Sequence, residues 1–479
     1  MINRSFRMTL LPAAVFAALG ISASAQADSV RFATFNASLN RNSSGELLSD
    51  LSNPFASGGV SATVANRIQQ VHNVAEIIQR VNADVLLVNE FDYDQNGVPS
   101  SSNTPSALGY SSQAALMFQD NFLDAGHGNA TRGLTTGVNY AYRYTPTTNT
   151  GLASGFDLDN SGSVGGGNDA FGFGNFPGQY GMTIYSKYEI NDVRTFQNFL
   201  WKDMPSNLLT DDPTVGANNL GTFYSAAEQD ILRLSSKNHV DITLKINGQE
   251  VHMLAAHPTP PVFDGAEDRN GKRNHDEIRF FKDYIAGESY IYDDQGNTGG
   301  LAAGAKFIIA GDMNADPNDG DSFGSAIDQL LNSPLVNTGL TPDSAGGTAA
   351  ANYPSNNGSA NDSHVTHPRF DTADFNDAGP GNLRVDYVLP SANLAINSGE
   401  VFWPVDPQTG DTNNTGDVFD LVGTFRNQNL YANFPSSDHK LVWVDVEIAP
   451  IPEPEIYAMF MAGLGLMGFM SRRRKKAIA

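Results

Sequence analysis

The 479-residue chain contains no cysteine. A disulfide framework, a thiolate metal site and a cysteine nucleophile are therefore excluded. Positive charge is scarce: 29 Lys and Arg stand against 52 Asp and Glu, a net charge of −23. A chain of that balance does not draw its affinity from neutralising many phosphates. It can still handle a phosphate if bound metal supplies the positive charge. No fixed-period repeat is present, and no apolar run reaches the roughly 20 residues that a membrane span needs. What is present is a core: 40% hydrophobic and 10% aromatic residues, with 46 glycines that imply long loops.

Both ends read as addresses. Arg4 and Arg7 precede an apolar stretch from Met8 to about Ile21, and Ala25-Gln26-Ala27 follows. This is the three-part pattern of a secretory signal over residues 1–27, read by a signal peptidase. At the other end, Pro452-Glu453-Pro454 precedes the apolar segment Ile456–Met470, and Arg472–Lys476 is a basic cluster that would stay cytoplasmic. Residues 450–479 resemble the PEP-CTERM sorting signals of Gram-negative bacteria. That resemblance implies transient anchoring in the inner membrane, processing by an exosortase and release toward the envelope, surface or matrix. A plain membrane anchor is the alternative.

Between the ends, β-rich runs alternate with helical periodicity. Strands are predicted at 30–35, 85–88, 139–144, 180–190, 307–310, 385–389 and 441–448. A hairpin is predicted at 239–255 around Asn247-Gly248. Apolar spacing predicts helices at 67–80 and 274–286. Residues 92–180 and 341–382 read as loop insertions in one domain spanning 28–449. Several polar residues fall at strand ends, where ligands gather in α/β sheets. They are Asn36, Glu90, His257, Asp312 and the Asp438-His439 pair.

The motifs in order are TFN at 34–36, VNE at 88–90, AAHPTPP at 255–261, GDMNADP at 311–317, RVDYVLP at 384–390 and SSDHK at 436–440. Together they resemble the endonuclease/exonuclease/phosphatase superfamily, of deoxyribonuclease I-like fold. The resemblance implies a four-layered α/β sandwich, with two β-sheets face to face and helices outside. It implies hydrolysis of phosphodiesters or phosphomonoesters with Mg²⁺ or Mn²⁺, ions that prefer oxygen ligands. By resemblance Glu90 is the main metal ligand, with Asn36 and Asp438 beside it. Asp312 directs water and Asn314 meets a phosphate oxygen. His439, paired with Asp386, stabilises developing charge, and His257 acts near the leaving group. Tyr140 and Tyr142 are candidate phosphate contacts. A glutamate partner for His257 and the DNA-contacting arginines have no counterpart in the sequence, which leaves the substrate open between nucleic acid and a small phosphoester.

Three readings follow: a phosphodiesterase, a phosphomonoester, inositol-phosphate or phospholipid phosphatase, and a non-catalytic surface binding protein. The expected state is a monomer. Asp316, Asp319 and Asp321 read as a solvated turn. Asp157 and Asp159, in DLDNSG, resemble the first half of a calcium loop, although Asn168 stands at the twelfth position in place of the bidentate glutamate.

Overall fold

The computed structural model describes residues 28–93, 112–130, 133–210, 223–352, 359–405, 422 and 435–450. The chain divides into two units, residues 29–447 and a smaller one of residues 1–28 with 448–479. The expected leader, and the sorting segment beyond Pro450, lie outside the described residues.

Two sheets organise the first unit. The strands of these two sheets are β1 (Asp28–Leu39), β2 (Val85–Phe91), β3 (Tyr142–Tyr144), β4 (Met182–Ser186), β5 (Glu189–Thr195), β6 (His239–Ile246), β7 (Gln249–Ala256), β8 (Phe307–Asp312), β9 (Asp386–Pro390), β10 (Ile396–Val401) and β11 (Val442–Ile448). One sheet has the order β10-β11-β1-β2-β4-β3, the other β9-β8-β7-β6-β5. This is the mixed α/β architecture expected, with one correction. The run 180–190 is not one strand. It breaks at Lys187-Tyr188, so that β4 pairs with β2 in one sheet and β5 pairs with β6 in the other. The β6–β7 hairpin turns at Asn247-Gly248, as expected, with both residues at positive φ (52° and 78°).

Two long helices cover the sheets. α1 (Ala62–Val81) starts where the Ser61 side chain accepts the Val64 N–H, and ends at Asn82 in the left-handed conformation. α2 (Arg269–Ile285) presses Ile278 and Phe281 onto Leu254, Ile309 and Tyr387. Side chains alternate along a strand. With Ile309 directed to α2, Ile308, Ala310 and Asp312 point the other way, toward the first sheet, where Asn36 meets Asp312. Gly311 is required here. A Cβ on it would lie 2.0 Å from the Ala256 carbonyl oxygen, so only glycine lets β8 run this close to β7.

Candidate active site

Asp312 ends β8 directly opposite Asp386, the first residue of the antiparallel β9. On its other side β7 runs parallel and delivers His257 one residue past its end. From the first sheet come Asn36 and Glu90, at the same ends of the paired strands β1 and β2. The register between β1 and β2 shifts after Asn36, and both Ser38 (φ 48°) and Glu90 (φ 55°) are left-handed. Non-glycine residues adopt this conformation at a cost of order 1–3 kcal/mol, held by the surrounding structure. Asn314 (φ 50°) repeats the pattern just after β8.

The contacts centre on one carboxylate. Asn36 Nδ2 donates to Asp312 Oδ2 at 3.0 Å, and the Asn314 N–H donates to Asp312 Oδ1 at 2.9 Å. His257 Nε2 lies 3.4 Å and His439 Nε2 3.7 Å from Asp312 Oδ2. His439 Nδ1 bonds to Asp386 Oδ2 at 2.8 Å, and the Thr372 hydroxyl donates to that same oxygen at 2.9 Å. Among the described residues the second Asp386 oxygen has no hydrogen-bond partner. Asp438 accepts from the Ser38 hydroxyl at 3.1 Å, and Glu90 Oε2 accepts from Asn40 Nδ2 at 2.7 Å. Asn314 Nδ2 donates to the Pro258 carbonyl at 3.1 Å.

Burial sets the protonation states. It lifts the Asp312 carboxyl to about 6, with Asp386 adding to the rise and His439 opposing it. Glu90 also titrates above its ordinary range, first through desolvation and then through the Asp438 charge. Burial opposes charge on His439, but the Asp386 and Asp312 carboxylates outweigh it and hold the imidazole pKa well above 6.5. His257 goes the opposite way. Burial, then Lys237, then His439 push it well below 6.5, so at neutral pH this imidazole is uncharged.

All eight of Asn36, Glu90, His257, Asp312, Asn314, Asp386, Asp438 and His439 therefore meet at one place. Tyr140 and Tyr142 do not. Tyr142 opens β3, the outer edge of the first sheet, separated from β1 by β4 and β2, and Tyr140 lies two residues before that strand. Tyr140 is fully buried against Tyr185, with ring centroids 5.6 Å apart. Neither tyrosine lines the cleft of about 1160 Å³ in which Glu90, His257, Asp312, Asn314, Asp438 and His439 lie.

The aspartates after Asn314 are also corrected. Asp316 is buried, and it accepts from the Asn318 and Asp319 N–H groups, the Thr366 hydroxyl and the Arg384 N–H. Asp319 accepts from the N–H groups of Val365 and Thr366. These two pin the segment around 365 to the cleft rim, and only Asp321 is an exposed turn residue. Asp157 and Asp159 gather with Asp169, one oxygen of each within 4.8 Å of the others. Their oxygens accept loop N–H groups from Leu158, Ser161, Gly162 and Gly165, and the three carboxylates are grouped closely enough that they could hold a cation.

Sequence reasoning missed the supports. Thr372 anchors Asp386, Asn40 holds Glu90, and Ser437 bonds Ser38 and the Asn36 carbonyl. No pattern marks an isolated Thr or Ser, but Asn40 and Ser38 follow TFN closely. Among the described residues His257 Nδ1 has no hydrogen-bond partner, so no glutamate pairs with it there. Glu277, in α2, accepts the Ser236 and Thr259 N–H groups at 2.6 Å each and braces the loops on either side of His257.

The carboxylate and amide oxygens of Glu90, Asp438 and Asn36 suit a hard divalent cation. The Asp438 charge lies close enough to Glu90 to help lift its carboxyl, an arrangement that a cation between them would relieve. Among the described residues no helix is long and apolar enough to cross a membrane.

A family model described as "Endonuclease/Exonuclease/phosphatase family" matches residues 33–439, and a "PEP-CTERM protein-sorting motif" matches residues 450–475. No curated protein matches. Similar solved structures include an endonuclease/exonuclease/phosphatase from Beutenbergia cavernae (15% identity, 88% of this chain and 73% of that one, TM-score 0.42). Another is beta toxin from Staphylococcus aureus with bound magnesium ions (15%, 87% and 99%, TM-score 0.40). A third is a mannosyl-6-phosphatase from Bacteroides thetaiotaomicron (11%, 87% and 99%, TM-score 0.37).

Proposed function

The chain belongs to the endonuclease/exonuclease/phosphatase family, and from that premise we propose that it is an exported, divalent-metal-dependent phosphoesterase that splits phosphodiesters with water. The observation that carries this reading is Asp312 set between two buried imidazoles, His257 at 3.4 Å and His439 at 3.7 Å, whose surroundings push their pKa values in opposite directions. Glu90, Asn36 and Asp438 would hold Mg²⁺ or Mn²⁺, which when bound supplies Lewis-acid charge to the phosphoryl oxygens.

Asp312, lifted to about 6, is a base matched to neutral pH and takes the proton of the attacking water. His439, kept cationic through Nδ1 by Asp386, donates from Nε2 to a phosphoryl oxygen as charge develops there. Asn314 fixes a second phosphoryl oxygen with the amide hydrogen that Pro258 leaves unused. His257, uncharged, offers a hydrogen bond near the leaving oxygen.

Residues 1–27 are proposed as the export signal and 450–479 as the sorting segment cut by an exosortase-type enzyme, placing a monomeric enzyme domain of residues 28–449 in the envelope or matrix. A phosphomonoester, inositol phosphate or phospholipid is the second reading for the substrate. It is favoured by the acidic cleft rim of Asp316, Asp319 and Asp321, which repels a long polyanion. A panel of DNA, RNA, sphingomyelin, inositol phosphates and a bis-aryl phosphodiester with Mg²⁺ tests both. Hydrolysis of at least one diester, lost in His439→Ala, is expected. No hydrolysis of any ester across varied metals would leave only a non-catalytic binding role.

A further inference from the structure

A second cavity of about 580 Å³ adjoins the cleft and shares Glu90, Tyr180 and His257 with it. Its charge is opposite to that of the cleft. Lys237, Arg269 and Arg273 line it, and among the described residues the shared Glu90 is its one acid. In a chain of net charge −23 that is a local reversal. Arg269 pairs with Glu267, and Arg273 donates to the carbonyls of Leu234, Phe171 and Arg233, so both are fixed in place. Lys237 differs. It is buried, and among the described residues its Nζ bonds only the Pro258 carbonyl, at 3.4 Å. Burial disfavours its charge, the Glu277, Glu90 and Asp312 carboxylates favour it, and with one long hydrogen bond the Nζ keeps donors free for an incoming oxygen.

Two phenyl rings stand at the mouth. Phe173 is 55% and Phe263 88% exposed, both lining this cavity. Phe173 lies against Tyr180, with centroids 6.1 Å apart and planes at 35°. Tyr180 (φ 56°) and Phe263 (φ 68°) are both left-handed, a strained conformation for aromatic residues. Exposed apolar rings held this way beside a polar site mark a binding surface.

We propose that this chamber is the subsite for the organic substituent of the phosphoester, that it takes a flat ring bearing no positive charge, and that Lys237 meets an oxygen of the attached phosphoryl group. The rings contribute stacking, which is tolerant of ring identity. The three cations disfavour a quaternary-ammonium head group, which the aromatic lining alone would accept. The inference rests on the phosphoesterase reading.

The test is calorimetric titration of the full-length protein with Mn²⁺, using ligands that cannot be hydrolysed. The probes are inorganic phosphate, ethylphosphonate, phenylphosphonate and 2-(trimethylammonio)ethylphosphonate. Phenylphosphonate should bind about tenfold tighter than ethylphosphonate, ~1.4 kcal/mol, and the trimethylammonium compound weakest. In Phe173→Ala/Phe263→Ala, both exposed positions, the ring preference should fall to about twofold while phosphate affinity stays within about twofold. Lys237→Met should weaken all four ligands about tenfold. Equal binding of phenyl- and ethylphosphonate, a ring preference that survives the double substitution, or tightest binding of the trimethylammonium compound would overturn the subsite alone. Failure of inorganic phosphate to bind would overturn the phosphoester reading and the subsite with it.

Discussion

Replacing Asp386 by asparagine isolates the charge that sustains His439. The side chains are nearly isosteric, and Thr372 can still donate to the amide oxygen, so the fold should hold. His439 Nδ1 sits 2.8 Å from the Asp386 carboxylate. At an effective dielectric of about 20, a unit pair at that distance attracts by roughly 6 kcal/mol. Part of this is recovered in the variant, because Asp312 still faces Nε2 at 3.7 Å and asparagine can accept a neutral hydrogen bond. If about half is lost from the transition state, ~3 kcal/mol, kcat should fall about 10²-fold. KM should change little, since the interaction strengthens only as phosphoryl charge develops. The assay is steady-state hydrolysis of a bis-aryl phosphodiester at saturating Mg²⁺, with urea unfolding as the stability control. A kcat within threefold of wild type, in a variant of unchanged stability, would refute the role given to the His439–Asp386 pair.

Asp50→Ala should cost about 3–5 kcal/mol in chemical denaturation, because Asp50 is buried between Arg41 and Arg67 and bonds both; a loss under 1 kcal/mol would contradict this. Gly311→Ala should lower stability by at least ~1–3 kcal/mol through the clash with the Ala256 carbonyl, and wild-type melting would be the contrary result. His252 lies 2.8 Å from Asp241; burial opposes its charge, but the bond to and charge of Asp241 hold its pKa above the usual value. A raised imidazole pKa adds stability that is full below about pH 6.5 and lost as pH rises through the folded value. The gap in unfolding free energy between wild type and Asp241→Asn should therefore be wider at pH 5.5 than at pH 8.5. The lost Tyr284 bond to Asp241 adds a pH-independent offset. An equal gap at both pH values would show that the pair carries no charge.

Much of this arrangement was legible in the sequence because strand ends carry it. A run such as KFIIAGD declares a buried strand, and the acid that follows is placed at the sheet's edge whatever the loops do. The αα-like periodicity of residues 67–80 and 274–286 similarly located both long helices, each of which proved longer at its N-terminal end. The failures are equally physical. YGMTIYSKYEI alternates as one strand would, but nothing in alternation reports that the chain changes sheet at Lys187. NYAYRY carries no sign of which sheet edge it joins, so Tyr140 was misplaced from the core to the cleft. β10 was missed because INSGEV, half-exposed at a sheet edge, lacks an apolar face. Asp316 looked like a turn residue because its partners, Thr366 and Arg384, lie 50 and 68 residues away.

The central claim is that Asp312 works on water at a metal-assisted phosphoester site. Its most direct measurement is single-turnover hydrolysis of a bis-aryl phosphodiester by chelator-stripped protein, before and after Mg²⁺ or Mn²⁺ is restored, for wild type and Asp312→Asn. The account predicts no measurable turnover without metal, recovery on its return, and a rate about 10²–10⁴-fold lower in the variant under every metal condition. Metal-independent turnover, or an Asp312→Asn rate equal to wild type, would contradict it.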